Sequence, residues 1–188
     1  AEIIRHMLDF SRRSESRRSV CDIGAIIDNA LRLASSDYDL KKNYDFKAIE
    51  IVRDVPADLP RCECTETEIE QVFLNLLRNA AQAMTEANPP AAAPRISIRA
   101  RAEDDRIVID IADNGPGISA EHRKRIFEPF FTTKASGAGT GLGLSVSYFI
   151  VCKGHGGRMR VACPPEGGTV FTVEIPCRNA AAETTAQP

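Results

Sequence analysis

A carboxylate at the lip of a glycine turn, Asp113-Asn114-Gly115-Pro116-Gly117-Ile118, is the stretch of this sequence best suited to ligand chemistry. Ile107 to Ile111 before it reads as an apolar strand with one break, and it runs straight into Asp113. Gly115 and Gly117 are expected to supply positive φ and close backbone approach, with Pro116 stiffening the turn between them. An ionised carboxylate only accepts hydrogen bonds, so a buried Asp113 suits an exocyclic amine such as N6 of adenine. Alone, the stretch fits an ordinary hairpin turn equally well, because Asn-Gly is a common turn dipeptide.

Three further stretches tip that balance. Gln71, Asn75, Asn79 and Gln82 form a stripe of neutral amides along one predicted helix, at steps of four, four and three. Solvated faces normally use Lys and Glu, and Asn is a poor mid-helix residue, so this stripe conflicts with local propensity. A carboxamide oxygen can join a Mg²⁺ that already holds phosphate oxygens and water, and Asn79 is the candidate ligand. Phe127-Glu128-Pro129-Phe130-Phe131-Thr132-Thr133-Lys134 gathers aromatics that can anchor a mobile loop as well as pack a core. Lys134 there can meet phosphate as a point charge. Gly137-Ala138-Gly139-Thr140-Gly141-Leu142-Gly143-Leu144-Ser145 opens an apolar run from Val146 to Val151. A glycine loop leading into a helix offers free amides and a positive dipole end to phosphate. No frame gives G-x-G-x-x-G or a Gly-Lys-Ser/Thr, so neither a dinucleotide fingerprint nor a P-loop is present.

The elements that must position these groups follow from periodicity. Thr65 with Glu68 marks a capping-box start, and Ile69, Val72, Phe73, Leu76, Leu77, Ala80, Ala83 and Met84 fall on one helical face. A second helix begins at Asp22, with Ile23, Ile26, Ile27, Ala30, Leu31 and Ala34 inward. Ile49 to Val55 and Arg61 to Cys64 read as strands. Arg95 to Arg101 pairs with Arg106 to Ile111 through a turn at Asp104-Asp105, and 157–163 with 169–175 makes a closing hairpin. Residues 1–13 read as helical, 11–19 as polar, 88–94 as a loop and 179–188 as a disordered tail.

The 188 residues suit one domain with an appendage, and an apolar content of 43% is ample for a core. A net charge of −2 gives no basis for binding nucleic acid, and no apolar run reaches membrane-spanning length. Of the six cysteines only Cys62-x-Cys64 are close in sequence, without paired metal-ligand spacing, which suggests reduced thiols in a cytoplasmic domain.

In this order the four stretches resemble the ATP-binding domain of two-component sensor histidine kinases, in the GHKL superfamily with gyrase and the mismatch-repair ATPases. The resemblance covers about 20–176. It implies an α/β two-layer sandwich (the Bergerat fold), a mixed sheet with helices on one face, preceded by the end of a helical hairpin. The implied division is 1–20 for the hairpin end and linker, 21–178 for the ATP-binding domain and 179–188 for the tail. The implied ligands are ATP and Mg²⁺. Asn79 would coordinate the metal and Asp113 the adenine amine, while Gly139, Gly141 and Gly143 would hold phosphates. Gly115, Gly117, Ile118, Phe131, Thr132, Thr133, Lys134, Thr140, Leu142 and Leu144 complete the nucleotide set, under a lid of about 132–140. Asn75, Asn79 and Lys134 form the implied catalytic set.

Asn75 stands where hydrolysing relatives place a water-activating Glu, and a carboxamide is no base at neutral pH. Glu68 and Glu70 lie off its stripe. Transfer to a delivered nucleophile therefore fits better than hydrolysis. His6 is followed by Met7 rather than an acidic residue and has only five residues before it, so it reads as a helix-surface or packing residue, and the chain as a fragment lacking its phosphoacceptor. His155, in Gly154-His155-Gly156-Gly157, reads as a structural turn residue. The implied partners are the dimerisation and phosphoacceptor hairpin of the same protein and a response regulator receiver domain, with homodimerisation expected only in the full-length protein. The rival readings are a serine-kinase anti-sigma regulator of the same fold and a nucleotide-binding interaction module without catalysis. Membrane anchoring of the parent protein is left open.

Overall fold

A computed structural model describes residues 18–36, 45–87, 93–134 and 139–177. The expectations for His6, the helix at 1–13, most of the polar stretch at 11–19, the tail at 179–188 and much of the loop at 88–94 lie outside these residues, as do positions 135–138 of the expected lid. The chain is a two-layer α/β sandwich, as the resemblance implied. Among the described residues five strands form the main sheet: β2 (Glu50–Asp54), β4 (Arg95–Glu103), β5 (Arg106–Asp113), β6 (Arg158–Ala162) and β7 (Thr169–Pro176), in the order β2-β4-β5-β7-β6. Only β2–β4 is parallel, so the sheet is mixed. A separate antiparallel pair joins β1 (Ser19–Cys21) to β3 (Cys62–Cys64), and it begins two residues ahead of the expected domain boundary.

Alternation explains which sheet face is covered. Ile96, Ile98 and Ala100 of β4, Ile107, Ile109 and Ile111 of β5, and Phe171, Val173 and Ile175 of β7 turn inward and are buried. The opposite face holds Arg99, Arg101, Asp110, Thr172 and Glu174. These pair across strands: Arg101 reaches Asp110 at 2.6 Å, Thr172 donates to Asp110 at 2.7 Å, and Arg160 meets the buried Glu174.

Helix α1 (Ile23–Ser36) is capped by Asp22, whose Oδ1 accepts the Ala25 amide at 3.2 Å. Its Ile23, Ile26, Ile27, Ala30 and Ala34 are buried at helical spacing, whereas Leu31 is only partly buried. Helix α2 (Glu66–Glu86) buries every expected core residue except Ala83, which is half-buried, while Ala81 is fully buried instead. The reason is the ~100° step per residue: on a long helix wedged between α1, the sheet and a third helical segment, the buried arc widens past one stripe. The expected capping box does not form, for the Thr65 side chain makes no cap hydrogen bond. A short helix α3 (Ala120–Arg123), capped by Ser119, went unread in the sequence. Helix α4 (Gly143–Tyr148) continues through a π-helical turn, Phe149–Gly154.

Candidate functional site

Asp113 is the last residue of the central strand β5, flanked by Ile96 of β4 and Thr169 of β7. Burial pushes its carboxyl up from the ordinary carboxylate value, opposed by hydrogen bonds from the Gly115 amide and from the Thr169 amide and hydroxyl. The Gly115 amide donates to Asp113 Oδ1 at 2.9 Å, which turns the carboxylate toward the glycine turn. Gly117 has the expected positive φ of 75°, but Gly115 does not. Glycine is needed at 115 for space instead: a Cβ there would lie 2.8 Å from Asp113 Oδ1 and 3.2 Å from Met84 Cγ of α2. Asn114 braces the turn by accepting the Arg95 amide and donating to Ala93 O, both at 2.8 Å. Ile118 donates its amide to Cys163 Sγ at 3.2 Å.

Gly168 and Thr169 belong to this end of the site and were missed in the sequence. Gly168 has φ 84°, donates to Gly115 O at 3.0 Å, and would overlap the Asp113 carbonyl if it bore a Cβ. The available signal was Gly167-Gly168-Thr169 at the mouth of a strand, but its meaning depends on pairing across 56 residues.

The amide stripe of α2 is not a solvated face. Asn75 Nδ2 donates to Ser147 Oγ of α4 at 3.0 Å, and only glycine at 143 leaves room for the Asn75 carboxamide oxygen. Gln82 Oε1 accepts from Lys134 Nζ, and Gln82 Nε2 donates to Glu86 at 2.6 Å. Asn79, between them, is half-buried and its carboxamide makes no hydrogen bond to a described residue. Gln71, at the other end, is exposed.

The aromatic run forms the base of the expected lid. Phe127 stacks on Tyr148 at 5.0 Å, and Phe131 lies under the Arg125 guanidinium at 4.6 Å and beside His122 at 5.6 Å. Phe130 has φ 66°, unusual for a bulky residue, and its amide donates to Gly141 O at 2.9 Å. Gly141 itself has φ 65°, and a Cβ there would sit 2.6 Å from Phe130 O, so these two residues clamp the base. Thr132 accepts the Lys134 amide at 3.1 Å, while Thr133 and Thr140 are exposed. Gly139 packs against Lys134 and Thr132, where a Cβ would approach both to 2.9 Å. Burial holds Lys134 below the ordinary lysine value, partly offset by Glu86. Leu142, which is partly buried like Leu144, precedes α4 without a side-chain cap, so the first-turn amides lack the usual partner.

These parts converge on one rail. Along α2, Asn75 meets the glycine-loop helix, Gln82 the lid base and Met84 the Asp113 turn. Asn79 sits among them. An acceptor-only carboxylate, a carboxamide with no partner among the described residues, a half-buried ammonium and a helix start without a side-chain cap together fit an adenine nucleotide and its metal.

Comparison with known proteins supports the nucleotide part of this reading. Residues 64–179 match the family described as "Histidine kinase-, DNA gyrase B-, and HSP90-like ATPase". Sensor kinase CckA of Brucella abortus is 36% identical over 94% of this chain and 19% of its own length. The catalytic domain of histidine kinase ThkA is 30% identical with a TM-score of 0.70, covering 86% of this chain and 96% of that one. ThkA in complex with response regulator protein TrrA aligns at 25% identity and TM-score 0.69, over 94% of this chain and 47% of that one. Full-length ShkA in complex with AMPPNP gives 29% identity and TM-score 0.69, over 87% of this chain and 32% of that one. The chain spans 18–26% of the length of the first curated relatives it matches. Among the described residues, no helix is long and apolar enough to cross a membrane. The chain belongs to the histidine kinase-, DNA gyrase B- and HSP90-like ATPase family, as an ATP-binding catalytic domain of its sensor histidine kinase branch.

Proposed function

We propose that this domain binds Mg-ATP and passes the γ-phosphoryl group to a histidine on a separate helical hairpin of its parent protein, from which a response regulator receives it. The observation that supports this reading is the convergence on α2 of the Asp113 turn, the glycine-loop helix and the lid base. Asp113 accepts the adenine amine. The amides around Gly139, Gly141 and Gly143 and the ammonium of Lys134 meet phosphate oxygens, with Phe131, Thr132, Thr133, Thr140, Leu142 and Leu144 lining the approach and Gly117 and Ile118 shaping the adenine side. Asn79 offers its carboxamide oxygen to Mg²⁺, whose bound charge would neutralise the triphosphate.

Asn75 is spent on Ser147, and Glu68 faces His155 at 3.8 Å, so neither is placed to deprotonate water. An imidazole needs no such base: its nitrogen lone pair attacks the γ-phosphorus as the bond to ADP breaks. Because ATP is the substrate, the domain works on the cytoplasmic side. Incubation with γ-labelled ATP tests the reading. The chain alone should stay unlabelled, and an added hairpin polypeptide from the parent protein should acquire acid-labile label. Rapid release of free phosphate with no label on the hairpin would overturn it.

A further inference from the structure

A buried imidazole lies outside the nucleotide site. His155 has a side chain only 1% exposed, at the far end of the helical segment that starts with the glycine loop. Its Nε2 accepts the Thr65 backbone amide at 3.0 Å, and its Nδ1 lies 2.9 Å from Ile150 O. Nε2 therefore presents its lone pair and Nδ1 carries the proton, which fixes a neutral imidazole in one tautomer. Thr65 is the N-cap of α2, and its amide is the donor that Glu68 would take in a capping box. A residue 90 positions away takes it instead.

The two helical segments run antiparallel, tied by Thr65 to His155 and Asn75 to Ser147, and beyond them Gln82 of α2 holds Lys134 of the lid base. We propose that His155 is a positioning residue: as a neutral imidazole it caps α2 from the opposite segment, and so sets the register of Asn79 against the glycine loop. The inference rests on the reading of the phosphate site given above. Glu68 Oε2 lies 3.8 Å from Nε2, and Arg18, ahead of β1, donates to the neighbouring Gly154 O.

Calorimetry of Mg-ATP and adenosine binding tests this, together with NMR of the ring nitrogens. The ring should show the Nδ1–H tautomer. His155→Ala should weaken Mg-ATP about five- to tenfold with adenosine nearly unchanged. His155→Gln, which keeps an acceptor for Thr65, should restore most of that affinity. Equal losses of adenosine and Mg-ATP in His155→Ala, an Nε2–H tautomer, or no rescue by His155→Gln would each overturn the proposal. Failure of the wild-type chain to bind Mg-ATP while the tautomer is as described would instead overturn the reading of the site.

Discussion

Both ends of the site are built on glycine, but glycine does different work at each. At the Asp113 end, Gly115 and Gly168 let two strand ends close on one another, and the polar groups they bring together are already paired. At the proposed phosphate end, Gly141 clamps the lid base and Gly143 makes room for Asn75, while the Asn79 carboxamide has no described partner and α4 has no side-chain cap. A base pocket that is complete before binding can select a base. A phosphate site completed by its ligand can close and reopen around successive nucleotides, because few fixed bonds oppose the motion.

The contrast can be broken most severely at Gly168. A Cβ there meets the Asp113 carbonyl at a backbone φ that side chains disfavour, so Gly168→Ala should destabilise the fold by about 2–5 kcal/mol. Urea unfolding measures the loss, and adenosine binding should fall with it. Leu76→Ala, in the fully buried face of α2, should cost a similar ~2–5 kcal/mol by leaving a cavity. Asn79→Ala, one turn along the same helix, should leave stability within about 0.5 kcal/mol. It should abolish the magnesium dependence of ADP binding and spare adenosine, as calorimetry with and without Mg²⁺ will show.

Smaller effects sharpen the comparison. Lys134→Ala should weaken ATP about tenfold, an effect that shrinks at high salt, because a partly buried point charge on phosphate is lost. For Asp113 the sign follows from its raised pKa. Burying the ionised carboxylate costs stability, so its contribution is best below the unfolded carboxylate value and is lost as pH rises through the folded one. Ligand-free Asp113→Asn should therefore gain stability at neutral pH, by under about 1 kcal/mol, and the gain should vanish in acid. Thermal melts at pH 7 and pH 4 measure it.

Local signals were legible and distant ones were not. The strand into Asp113, the apolar face of α2 and the described part of the glycine loop before α4, from Gly139 on, are each written within a few turns or residues, and each formed. The amide stripe stood out through a propensity conflict, though not that Asn75 would bond Ser147. Thr65 and Glu68 spelled a capping box, yet a buried imidazole from another segment displaced it. An Asn-Gly turn predicts positive φ at Gly115, whereas crowding by Asp113 and Met84 explains the glycine there. Gly168 and Thr169 stayed hidden because their role arises only when β7 pairs with β5.

The central claim is that Asp113 selects adenine within a pocket formed before the nucleotide arrives. Calorimetric titration of the unmutated chain with ATP and with GTP, each with Mg²⁺, tests it most directly. GTP sets a carbonyl oxygen against a carboxylate that can only accept, so ATP should bind tighter by about a hundredfold or more. Asp113→Asn, whose carboxamide also donates, should narrow that gap by losing ATP affinity. Comparable affinities for ATP and GTP in the unmutated chain would contradict the account and move the adenine away from Asp113.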